Sequence, residues 1–186
     1  MPATDSPLSS AMLGLENTQA LDPGVRAAQP LMDAVTANPT VRDALQGRWL
    51  GHALHPLMVM VPLGSWLSAS VLDAAGTDQE GSSTELLTAL GVLTAVPSAL
   101  TGLAELAEAG TREKRVGLVH AATNVVGLGL QVASWAARRS GQDTRAKLLA
   151  AAGLSAVGAG GYLGGHLSVA REVGSKDRAF ERTAAG

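Results

Sequence analysis

The stretch LGHALHPLMVMVPLGSWLSASVLD, residues 50–73, sets two histidines three apart at the threshold of an apolar run. Three more such runs follow, so that residues 53–72, 86–104, 116–137 and 148–170 are each close to the roughly 20 residues that cross a hydrocarbon core. None of the four holds Lys or Arg in its interior, and short polar connections at 73–85, 105–115 and 138–147 separate them. The pattern predicts four antiparallel transmembrane helices in up-down order, an all-α integral membrane four-helix bundle.

A soluble bundle would show a polar stripe at a period of 3.6 residues on every helix. The second run, LLTALGVLTAVPSALTGLA, carries only Ser and Thr as polar side chains, and these read as spread around the helix, where hydroxyls can bond back to their own backbone. The fourth run adds small-residue ridges at Ala156, Gly160 and Gly164 and at Gly161 and Gly165, which let helices approach closely in lipid. Pro62 and Pro97 fall inside runs, where a membrane bundle can re-satisfy the freed carbonyl.

Composition agrees. Only 16% of residues are charged, against roughly 25% in soluble proteins, and the apolar mass is Ala, Leu, Val and Gly, with 3% aromatics and 22 glycines. The absence of cysteine excludes disulfides, thiolate zinc sites and cysteine-held iron–sulfur clusters. A net charge of −2 with no basic cluster argues against a nucleic-acid partner. Glycine-rich GAGGYLGGH lies in an apolar run and lacks the lysine of a phosphate loop, and no Gly-x-Ser-x-Gly elbow occurs, so no catalytic residue is assigned.

Outside the runs, residues 1–28 mix Pro, Ser, Thr and Asp with no signal-peptide core and are expected to form a disordered tail. Residues 29–50 suggest short amphipathic or interfacial helices, with Thr40 as an N-cap and Trp49 as an interfacial anchor. The membrane domain is expected over 51–171 and a charged tail over 172–186. Basic residues favour the face that bears both termini, through Arg42, Arg48, Arg112, Lys114, Arg115, Arg171, Lys176, Arg178 and Arg182. The opposite face has Arg138, Arg139, Arg145 and Lys147. The positive-inside rule then places the termini in the cytoplasm.

Counting along antiparallel helices brings His52, His55, His120 and His166 toward that same end. Glu105 closes the second helix there, and Asn124 shares the stripe of His120. Ionisable groups inside spans usually face the bundle interior and mark functional sites. Three chemistries want such groups. A b-type haem needs two axial nitrogens from facing helices and small residues around the macrocycle. A nonhaem metal ion would use Glu105 with His55, His120 and His166. A quinone site would need a donor such as His120 or Asn124 and a proton carrier such as Glu105. The Glu-x-x-His spacing of dinuclear bundle sites is absent.

The blocks GHALHPLMVMVPLGSW, TGLAELAE, RVGLVHAATN and GGYLGGHL resemble, in order and spacing over residues 49–174, a bacterial family of predicted four-span membrane proteins known as domain of unknown function 2231. The resemblance implies an integral membrane protein with functional positions at His52, His55, Glu105, His120, Asn124 and His166. Some relatives carry a Rieske-type iron–sulfur domain, which implies electron transfer. This chain departs where the family has HPxHP, reading HALHP; where it has Asp-Trp, reading Ala104-Glu105-Leu106; and in lacking the aromatic after GGHL. Two functional readings follow: a redox component binding haem, metal or quinone among these residues, or a noncatalytic membrane subunit or scaffold. Partners compatible with either are the lipid bilayer, redox proteins and further copies of the chain.

Overall fold

The computed structural model describes residues 6–78 and 81–175. Four helices in it are long and apolar enough to cross a membrane: His55–Ala75, Ser82–Ala107, Thr111–Arg139 and Asp143–Ala170, hereafter the first to fourth spans. They agree with the sequence-predicted runs and extend most of them by a turn or so, because the polar ends continue the helical hydrogen bonding past the apolar core. The first span turns at Val59, between His55–Met58 and Met60–Ala75, and the fourth ends in one wide π-helical turn, His166–Ala170. The spans neighbour one another in the ring first, second, third, fourth and back to first, so the first and third face each other across the diagonal.

The bundle is inverted relative to a soluble protein. In the second span Thr84, Thr88, Gly91, Ser98, Thr101, Ala104 and Glu105 are buried, while Leu86 and Leu93 are 69% and 71% exposed. This corrects the sequence expectation that the hydroxyls are spread around the helix. Positions 84, 88, 91, 98, 101 and 105 recur at helical spacing and form one small, polar, inward face. The large aliphatic side chains point outward, which is stable only if lipid covers them.

Close approach is built into the inward faces. Cβ atoms added at Gly127 and Gly153 would lie 3.2 Å from each other's carbonyl oxygens. At this spacing Gln131 donates to Ala150 O at 3.2 Å and Ser134 to Ala146 O at 2.8 Å across the third and fourth spans. Gly160 and Gly164 also face the third span, whereas Gly161 and Gly165 face open space; of the two predicted ridges, only the first makes a helix contact. Pro62 cannot donate to Met58 O, and Ser98 Oγ from the second span donates to that carbonyl at 3.0 Å. At the end away from the termini, Arg138 grips Asp73 with two bonds of 3.0 and 2.6 Å and also reaches Thr84 Oγ1.

Of the loose tail expected over 1–28, residues 1–5 lie outside the described residues, and from Pro7 on the chain is largely helical. Pro7–Asn17 (α1) starts at Ser6, whose side chain accepts from Leu8 N, with Pro7 in the first turn. Asp22–Thr36 (α2) packs on the second and third spans. These helices are ordered because they seal the end of the bundle: Met12 and Leu15 pack on Val116, Leu163 and Leu167. Pro39–Leu45 (α3) is capped by Asn38, which accepts from Thr40 N and Val41 N, rather than by Thr40, because Pro39 occupies the first helical position. Gly47, at φ 69°, then turns the chain toward the first span; a Cβ there would lie 2.6 Å from His52 O. The charged tail predicted from 172 onward lies beyond the described residues from Lys176.

Trp66 reaches across to Thr88 O with its indole N–H at 3.2 Å, over the bare backbone of Gly91. Gly91→Leu is expected to destabilise the bundle by about 1–3 kcal/mol through overpacking. Gly129→Leu, where a Cβ meets nothing within 4 Å, serves as a near-neutral control. Equilibrium unfolding in mixed detergent measures both, and equal stability of the two variants would contradict this packing.

Candidate functional site

Two of the four histidines meet inside the bundle. His55, from the first turn of the first span, and His120, about two and a half turns into the third, cross the diagonal with ring centres 6.4 Å apart and planes at 86°. The His55 ring turns inward, and the N-cap position, Leu54, makes no side-chain cap bond.

Each ring is held by one nitrogen. His55 Nδ1 lies 2.9 Å from Ser98 O and 3.2 Å from Thr101 Oγ1, whose own hydroxyl donates to Ser98 O at 2.7 Å. His120 Nδ1 lies 2.7 Å from Gly160 O. A carbonyl can only accept, so both rings carry their proton on Nδ1, and both Nε2 atoms present a lone pair. Asn124 Nδ2 donates to His120 O at 2.8 Å. It also lies 3.3 and 3.4 Å from the two nitrogens of the His120 ring, separations so alike that it sits over the ring face rather than on a lone pair.

Glycine makes this pairing sterically feasible. A Cβ on Gly102 would lie 2.8 Å from His55 Cε1, one on Gly164 2.9 Å from His120 Cε1, and one on Gly160 2.6 Å from Asn124 Nδ2. The second and fourth spans therefore contribute backbone and hydroxyls beside the two rings, while the first and third contribute the imidazoles.

The other candidates go elsewhere. Glu105 Oε2 accepts from Ser175 N and Oγ at 2.8 and 2.9 Å. His52 is exposed ahead of the first span. His166 Nε2 bonds Glu16 Oε1 at 2.7 Å, away from the His55–His120 pair. Among the described residues no three His, Asp or Glu side chains converge where they could hold a metal ion.

The clamp at His166 was not visible in the sequence. Glu16, 1% exposed, also receives Arg171 Nε and Nη2 at 2.5 and 2.7 Å. Beside it Arg115 holds Asp22 with two bonds and Glu16 O with a third. The partners are 93 to 155 residues apart, so no local pattern announces them. Gln46 was missed likewise; its amide donates to Ala104 O at 3.0 Å, with Arg48 linking it to Glu108. Burial works against a charge on Glu16, but the hydrogen bonds from Arg171 and His166, with the Arg171 charge, outweigh it and hold the carboxyl below the usual glutamate range. The hydrogen bonds from Arg115 likewise hold Asp22 below the usual aspartate range.

Fold and site thus define an integral membrane four-helix bundle with a paired-histidine interior. The family model described as Predicted membrane protein (DUF2231) matches residues 51–177, most of the chain and all four spans, and the chain belongs to that family. No curated protein and no solved structure matches.

A depressed carboxyl stabilises the fold fully above its unfolded pKa and loses that contribution as pH falls through the folded one. Docking of α1 through Glu16 is therefore expected to hold at neutral pH and to weaken on acidification below about 4.5. Glu16→Gln is expected to speed amide exchange in residues 7–17 at least tenfold at neutral pH, after correction for intrinsic rates. Wild-type protection in that variant would show that the clamp does not hold the helix.

Proposed function

We propose that the protein binds a haem between His55 and His120 and serves as a one-electron carrier within the membrane. The observation that supports this is the spacing and tautomer of the two rings. With ring centres 6.4 Å apart, the two imidazoles would be near enough to hold one iron between them, each through its Nε2. Metal-ligating histidines commonly donate one ring N–H to a carbonyl and bind through the other nitrogen, and here Nδ1–H is anchored on a backbone carbonyl in each ring.

The donor set favours haem over a bare metal ion. A nonhaem transition-metal ion needs three or more protein ligands, and among the described residues no third His, Asp or Glu side chain joins the pair. His55 and His120 would be the two residues that hold a haem, and one-electron chemistry is what it would supply when bound. The chain's own work is then to fix both imidazoles through Ser98 and Gly160 and to keep side chains off Gly102 and Gly164. Apolar spans exclude water from the pair. The same reading takes the site-bearing end as cytoplasmic in a bacterial inner membrane; Arg138, which opposes the basic bias of that end, is bound to Asp73.

Full-length protein in mild detergent, titrated with haemin, is expected to develop a Soret band with saturable 1:1 stoichiometry. His55→Ala and His120→Ala should each weaken binding at least tenfold, with His55→Met and His120→Met retaining it in altered spectra; His52→Ala and His166→Ala should leave the spectrum unchanged. A colourless wild type, or binding by His120→Ala equal to that of the wild type, would overturn the reading and leave the scaffold role.

A further inference from the structure

Helix α2 packs on the second and third spans, and its sequence divides it lengthwise. Met32 is its buried residue, and Leu31 and Asp33 stand about 100° to either side of it. Leu31 shares its side with Gly24, seven residues back, while Asp33 shares the other with Arg26 and Gln29. Two contacts fix which way these sides face. A Cβ at Gly24 would lie 2.7 Å from Leu118 Cδ2. On the other side Lys114 Nζ donates to Gln29 Oε1 at 3.3 Å, and Gln29 Nε2 donates to Asp33 Oδ1 at 2.8 Å. Leu118 is one helical turn deeper in the third span than Lys114. The side of α2 with Gly24 and Leu31 therefore faces the membrane interior, and the side with Gln29 and Asp33 faces the aqueous end.

We propose that α1 and α2 form a collar that docks on the phospholipid leaflet at the terminus-bearing end, with Leu31 and Leu8 set into the boundary between headgroups and acyl chains and Arg26 and Asp33 in water. Leu118 heads a stripe of the third span that continues through Ala122 and Val125, both exposed. The Gly24 side of α2 thus sits at the edge of a face that lipid must cover. Leu31, on that side, is 59% exposed, whereas Arg26 and Asp33 are the exposed residues of the other. A helix with one side apolar and the opposite side charged suits the interfacial plane. In α1, Leu8, Met12 and Leu15 share one stripe. Met12 and Leu15 pack on Val116, Leu163 and Leu167, and Leu8, one turn earlier, is exposed, so the apolar stripe runs on past the protein. The membrane surface then receives residues from 7 onward and not only the 29–50 segment expected there.

The chain contains no cysteine, so single-cysteine variants carrying a nitroxide report depth one position at a time. In the full chain in vesicles of phosphatidylcholine and phosphatidylglycerol, a label at Leu31→Cys is expected to collide with oxygen at least twofold faster than with a water-soluble nickel chelate. A label at Leu93→Cys, on the lipid face of the second span, serves as the reference for that pattern. At Asp33→Cys the nickel chelate should win at least twofold, and Leu8→Cys should follow Leu31→Cys. Chelate access at Leu31→Cys equal to that at Asp33→Cys would put α2 in water and overturn the assignment, and the same result at Leu8→Cys would overturn the part given to α1. Exclusion of both reagents from Leu31→Cys would overturn it in favour of a second copy or another protein on that side.

Discussion

Everything in this bundle depends on polar side chains reaching the second lone pair of a neighbouring helix's carbonyl oxygens. A helical carbonyl already accepts one N–H and retains capacity for another. In lipid there is no water to take it, and no water to satisfy a buried amide, hydroxyl or imidazole. Trp66 on Thr88 O, Ser98 on Met58 O, Gln131 on Ala150 O, Ser134 on Ala146 O and Gln46 on Ala104 O all solve both problems with one bond. Glycines and alanines on the receiving helix bring its backbone within reach. The third and fourth spans show the regularity this imposes, since moving fourteen residues back from Ser134 to His120 moves the acceptor fourteen forward, from Ala146 to Gly160.

The histidines are special cases of the same bond. Each contact of this kind is worth little on its own, about 0.6 kcal/mol on average and rarely above about 2, so stability does not explain placing two imidazoles on one diagonal. What the bond does supply is direction: it consumes Nδ1, fixes the tautomer and leaves Nε2 as the chemically available atom. A ring held this way on each of two diagonal spans would lose little rotamer freedom on binding the haem proposed to lie between them. Asn124, bonded to His120 O and lying over the ring, adds a further restraint.

Much of this was legible in the chain. Run lengths and the absence of interior Lys and Arg fix the four spans, and antiparallel counting brings His55, His120 and Asn124 to one depth. Counting residues along a helix gives depth but not azimuth, which is why His166 and Glu105 look like members of one cluster when they point to Glu16 and Ser175. The inward stripe of Thr84, Thr88, Ser98 and Thr101 was present in the sequence, but it is readable only once polar faces are expected inside and Leu outside. The order in α1 could not be read, since Glu16 is held by residues 150 and 155 positions away, and long-range pairs leave no periodic mark.

Nitrogen-15 spectra of the full chain in detergent, with histidine selectively labelled and assigned by His→Gln variants, test the central claim most directly. The account predicts that His55 and His120 both carry their proton on Nδ1 with an unprotonated Nε2, while exposed His52 shows exchange between tautomers. Protons on Nε2 of His55 and His120, or tautomer averaging like that of His52, would contradict it, because neither ring would then be held by the carbonyls of Ser98 and Gly160.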